Sequence, residues 1–219
     1  MELKGKIMNV LGDSITEGIG VSSKDKIYCN LLKDRLGLAE VRNYGDAGKR
    51  FAAQQQDDGS WSDHRNFYDL AKKMDPNADI VVVFGGTNDF GHGNAPLGSF
   101  GDRNTHSFYG ACHVLMRYLT ETYPDAVIVF MTPLHRCQEL GKYGGGEKTV
   151  ESAPLIDYVK AIRETAEYYA IPVLDLYSMS GIQPNIPVIS EKYCPDRLHP
   201  NDAGHARIAD RLEWFLRSY

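Results

Sequence analysis

The sequence predicts an α/β protein, a three-layer α/β/α sandwich around a five-stranded parallel sheet. Strand-like and helix-like segments alternate along the 219 residues, which implies right-handed βαβ crossovers. Two strand candidates, Ile80 to Phe84 and Ala126 to Met131, are nearly continuous apolar runs, as expected of parallel strands covered on both faces. Two long irregular segments, 91–104 and 137–150, follow the carboxyl ends of strands, where open α/β sheets bind ligands.

In chain order, Ile7 to Leu11 is a short apolar run stopped by glycine, which suits a buried strand. Tyr28, Leu31, Leu32, Arg35 and Leu36 recur at helical spacing, and Val41 to Tyr44 supplies the second strand. Ile80 to Phe84 follows as the third strand, then a helix with Phe108, Cys112, Leu115 and Leu119 on one face, then the fourth strand. Leu155, Val159, Ile162, Ala166 and Tyr169 mark another helix, and Val173 to Leu176 is the fifth strand. The last helix carries Ile208, Leu212, Phe215 and Leu216, and Pro200-Asn201 offers its entry signal. Segments 54–63, 91–104, 137–150 and 181–194 read as irregular.

The length suits one domain over residues 1–219, large enough to form a core without disulfides or metal. A net charge of -5 gives no general attraction to nucleic acid or anionic membrane, so a small-molecule partner is expected and a polyanion is not. No apolar run reaches membrane-spanning length, and the N-terminal residues lack the apolar core of a signal peptide, so the chain as given reads as cytoplasmic. Cys29, Cys112, Cys137 and Cys194 are widely spaced and read as free thiols, with Cys29 and Cys112 on apolar helical faces. The histidines at 92, 106, 113 and 135 lack metal-ligand spacing, and His205 reads as structural or exposed. No cofactor is expected.

With a sheet order of 2-1-3-4-5, the loops Gly12-Asp13-Ser14, 43–48 and Gly85-Gly86-Thr87-Asn88-Asp89 open on one edge. Ser14 then stands where a strand ends and a helix begins, with backbone N–H groups free for a developing negative charge. Asp196 precedes His199 by three residues on one loop. It can accept the Nδ1 proton, so that Nε2 faces a nucleophile. Asp13 and Asp89 read as loop-holding carboxylates. Lys49 and Arg50 form a solvated pair or a site for a substrate carboxylate or phosphate.

Gly12-Asp13-Ser14, Gly48 after Asn43, Gly86-x-Asn88-Asp89 and Asp196-x-x-His199-Pro200 together resemble the four signature blocks of the SGNH, or GDSL, hydrolase superfamily. The resemblance implies a flavodoxin-like fold and a serine esterase. By the same resemblance Ser14 is the nucleophile, His199 the base and Asp196 its partner. Ser14, Gly48 and Asn88 form the oxyanion hole, with Gly45 as the alternative to Gly48.

Segments 91–104 and 137–150, rich in glycine, would shape or cover the cleft. The first is mostly polar, with Leu97 and Phe100 its large apolar groups. This favours a short acyl group on a carbohydrate or other polar molecule, with Trp61 and Tyr143 as stacking candidates or simply packing aromatics. Acyl transfer or longer-chain lipase activity would use the same triad, and a non-catalytic carbohydrate-binding protein is the reading from another class.

Overall fold

A computed structural model describes residues 2–144, 148 and 152–218. The chain runs β1 (Ile7–Gly12), α1 (Ser14–Glu17), a short 3-10 turn (Lys24–Lys26), α2 (Tyr28–Leu36) and β2 (Glu40–Gly45). Next come β3 (Gln54–Gln55), β4 (Trp61–Ser62), α3 (Phe67–Ala71), β5 (Ile80–Phe84), α4 (Thr87–Gly91), α5 (Phe108–Thr122) and β6 (Val127–Met131). The remainder is α6 (Leu155–Tyr168), β7 (Val173–Leu174), α7 (Leu176–Met179), α8 (Pro187–Tyr193) and α9 (Asp202–Arg217).

The main sheet has five parallel strands in the order β2-β1-β5-β6-β7, the expected topology. β5 is buried at all five positions, because the sheet divides two cores and successive side chains enter opposite ones. On one face Met8, Val10, Val82 and Val129 pack with Tyr28 and Leu32 of α2 and with Ile208 and Leu212 of α9. On the other, Leu11, Val81, Val83 and Phe130 pack with Phe67 of α3, Phe108 of α5 and Ile162 of α6. Each such side chain contributes about 1.5–3 kcal/mol through burial. Cys29, Cys112 and Cys194 lie inside as free thiols, and Cys137 is half-buried.

Register positions the site. β1 pairs with β2 so that Gly12 lies beside Gly45, and with β5 so that Gly12 lies beside Phe84. The three strands end in one row, and the loops after them open together.

Three expectations change. The fifth strand stops at Leu174 rather than Leu176, because Asp175 accepts from the Ser178 N–H and caps α7. Segment 54–63 contains the small antiparallel pair β3–β4. Segment 181–194 contains α8, entered with Pro187 in its first turn. Ile189 and Tyr193 pack against the core while Val188 is exposed, so the apolar face of this seven-residue helix is too short for sequence periodicity to detect. Of the glycines at 144–146, Gly145 and Gly146 fall outside the described residues.

Candidate active site

β1 delivers the chain to Asp13, whose Oδ1 accepts the Ile15 N–H at 3.0 Å and caps α1. Ser14 is the first residue of that helix and is almost buried. Its Oγ lies 3.1 Å from Nε2 of His199, which arrives from 185 residues away on the loop between α8 and α9. The Asp196 carboxylate stands 2.7 Å from His199 Nδ1 through Oδ2. Its Oδ1 accepts the backbone N–H groups of Leu198 and His199 at 2.8 and 2.6 Å. Partial burial raises the Asp196 pKa, but these donors and the adjacent imidazole outweigh it and hold the carboxyl below its ordinary range. An ionised carboxylate only accepts, so Nδ1 carries the proton and Nε2 accepts from the serine hydroxyl. The described bonds thus form a hydroxyl-to-imidazole-to-carboxylate relay.

The loop after β2 approaches from the other side. Glu17 Oε2 accepts the Ala47 N–H at 2.7 Å, and Asn43 Nδ2 donates to the Thr16 carbonyl at 2.6 Å. These two bonds fasten the loop to α1. Gly45 is required by close approach: a Cβ there would lie 2.2 Å from Glu17 N. Its own N–H already donates to Asn43 Oδ1 at 2.8 Å. Gly48 has φ 72° and open space at its missing Cβ, and its N–H has no hydrogen-bond acceptor among the described residues. Of the two glycines, only Gly48 therefore has the availability that an oxyanion donor needs.

Helix α4 holds the same loop. Asn88 Nδ2 donates to the Lys49 carbonyl at 3.0 Å, and Asp89 accepts from Phe51 N and Ala52 N, both at 3.0 Å. Asp13 and Asp89 thus hold loop backbone, as their sequence positions suggested. Lys49 pairs with Asp46 at 3.3 Å, and Arg50 lies 3.2 Å from His92 Nδ1.

Burial pushes Asp13 up to about 7 and Asp89 to about 6, from 3.8 for both. Between about pH 4 and 7 the folded chain retains protons that the unfolded chain releases, so these groups make folding less favourable as pH rises across that window. Asn retains the capping oxygen without the buried charge. The Tm of Asp13→Asn relative to wild type is therefore expected to climb between pH 5 and pH 8 in thermal melts. A difference independent of pH would contradict it.

Other polar groups occupy structural positions. His205 is fully buried, accepts from the Tyr28 N–H at 3.2 Å and is pushed down to about 4 by burial, which removes the exposed alternative. Trp61 stacks on His106 with centroids 4.6 Å apart, so one of its faces is covered. Tyr143 is half exposed beside a 660 Å³ groove that also includes Leu140 and Asn185. Among the described residues no three His, Cys, Asp or Glu side chains cluster as metal ligands. Sequence reasoning missed Glu17 and His92, and the clamping role of Asn43. The local signal for Glu17, an acid in the first turn of a helix, reads as ordinary dipole compensation.

The GDSL-like Lipase/Acylhydrolase family model matches residues 10–207. The chain belongs to this family. Membership makes it an ester-bond hydrolase, and the order of the four blocks in the sequence agrees with it. A solved structure of a Lactobacillus plantarum protein is 30% identical, covering 99% of this chain and 98% of its own, with a TM-score of 0.83. The acetyl xylan esterase AlAXEase shares the fold at 19% identity and a TM-score of 0.65, with 96% and 99% coverage of this chain and its own. A lipase/acylhydrolase from Enterococcus faecalis does so at 19% and 0.64, with 97% and 96% coverage. The search of curated proteins returns no match. Among the described residues of this GDSL-like hydrolase, no helix is long and apolar enough to cross a membrane.

Proposed function

We propose that the chain hydrolyses short-acyl esters of carbohydrates or other polar molecules through an acyl-enzyme on Ser14. The observation that carries the mechanism is the relay of 3.1 Å from Ser14 to His199 and 2.7 Å from His199 to Asp196. His199 Nε2 takes the hydroxyl proton as Ser14 Oγ attacks the ester carbonyl. The N–H groups of Ser14 and Gly48 and the Asn88 amide receive the tetrahedral oxyanion. His199 then gives its proton to the departing alkoxide, and the alcohol leaves. Water, deprotonated by the same nitrogen, attacks the acyl carbon and releases the carboxylic acid and Ser14.

Acyl length is inferred from the walls. The cavity beside Gly48, about 190 Å³, is lined by Lys49, Arg50, Gln54, Ser62, His64, Arg65 and Asn66 and does not include Ser14, Asn88 or His199, so it supports a polar surround to the site rather than an acyl pocket. The two large apolar residues of segment 91–104 turn elsewhere. Leu97 packs against the core, and the Phe100 ring lies against His113, Tyr109 and Tyr168. A long acyl chain would find little continuous apolar lining here.

Graded p-nitrophenyl esters and acetylated sugars test this. kcat/KM is expected to peak at acetyl or propionyl and fall at least about tenfold by decanoyl, as removal of favourable contacts and poor fit accumulate. A steady rise with chain length would overturn the short-acyl reading. Reaction with a fluorophosphonate, followed by peptide mass analysis, should place the label on Ser14. A label elsewhere would overturn the mechanism.

A further inference from the structure

We propose that His92 is a positioning residue for Asn88, and that Arg50 sets the tautomer in which it acts. The inference rests on Asn88 being an oxyanion donor. Asn88 lies in α4 and His92 follows four residues later, so their side chains stand one above the other. His92 Nε2 lies 3.0 Å from Asn88 Oδ1, and its Nδ1 lies 3.2 Å from Arg50 Nη2.

The hydrogen inventory fixes the direction of each bond. A guanidinium N–H only donates, so His92 Nδ1 must accept. The proton of the neutral ring is then on Nε2, which donates to the Asn88 oxygen. The opposite end of the chain of bonds gives the same orientation independently. The Lys49 carbonyl only accepts, so the Asn88 nitrogen must face it, at 3.0 Å, and the oxygen must face His92. One N–H of the Asn88 amide is used by Lys49, and the other remains for substrate.

This arrangement answers a problem inherent in an asparagine donor. Its amide has an acceptor and a donor of nearly equal size, and half a turn about its last side-chain bond would present oxygen to an oxyanion. Lys49 restrains the nitrogen and His92 restrains the oxygen. Because Arg50 precedes Phe51 and Ala52, whose N–H groups Asp89 holds, the backbone that carries the guanidinium is anchored to the same helix. His92 is exposed at the rim, so water competes for the bond and its loss should be graded rather than total.

The test is a kinetic cycle on p-nitrophenyl acetate with wild type, Ser14→Ala, Asn88→Ala, His92→Phe, His92→Gln and Asn88→Ala/His92→Phe. His92→Phe should lower kcat about tenfold with KM nearly unchanged, well short of the ~100- to 1000-fold loss of a donor itself. His92→Gln, whose amide N–H can occupy the Nε2 position, should recover most of that loss. In the Asn88→Ala background His92→Phe should have almost no further effect. His92→Leu replaces the Phe variant if circular dichroism shows that Phe disturbs the fold. An undiminished kcat, a rise in KM alone, failure of Gln to recover activity, or an equal loss in the Asn88→Ala background would each overturn the role. If instead Ser14→Ala and Asn88→Ala leave turnover at the wild-type level, the underlying site assignment fails before His92 is reached.

Discussion

Ser14→Ala should lower kcat for p-nitrophenyl acetate by about 10⁴- to 10⁶-fold, the range expected when a nucleophile acting as part of a unit is removed. His199→Ala should lose a similar amount, because without Nε2 at 3.1 Å the hydroxyl proton has no acceptor as the new bond forms. The double variant should be no worse than either single one, since both remove the same step. Residual hydrolysis would come from binding and the oxyanion donors alone. Steady-state kinetics on the three variants, with circular dichroism to confirm folding, checks this. Losses that multiplied in the double variant would mean that the two side chains act in separate steps.

Asn88→Ala should reduce kcat by about 100- to 1000-fold while KM changes little. Under the proposed mechanism its second N–H would meet charge that exists in the tetrahedral species and hardly at all in the ester, so its loss would fall on the barrier rather than on substrate binding. Asn88→Asp should be at least as damaging, because it places a carboxylate where negative charge develops and faces the Lys49 carbonyl with an acceptor. A boronic acid inhibitor gives an independent readout: its affinity for Asn88→Ala should fall roughly in step with kcat. A large rise in KM with unchanged kcat would show that Asn88 binds ground-state substrate instead.

Much of this site was legible because its parts are local. Asp196 and His199 carry their own pairing within three residues, and Gly12, Asp13 and Ser14 lie at the end of a strand whose composition announces it. The parallel character of the sheet followed from β5 and β6, which are apolar almost throughout, while the strand order was an assumption that the structure bears out. What escaped depends mostly on distant partners. Glu17 holds a backbone N–H thirty residues away, and His92, although only four residues from Asn88, also needs Arg50, forty-two residues back, to set its ring. The long-range bonds arise from how the loops are brought together, which sequence spacing does not express. Helix α8 was hidden for another reason, since its apolar face is short and its proline entry mimics a loop.

The bonds from α4 to residues 49–52 join Gly48 and Asn88 into one body, whereas Asp196 and His199 belong to another, built on the loop before α9. Ser14 stands between them. A second bridge joins them: Arg136 Nη1 donates to the Thr87 carbonyl in α4 at 3.0 Å, and the next residue, Cys137, donates its N–H to the Arg197 carbonyl in the histidine loop at 3.1 Å. Under the proposed mechanism one body handles the proton and the other receives charge, so a change at this bridge would misalign the two while the bonds inside each survive.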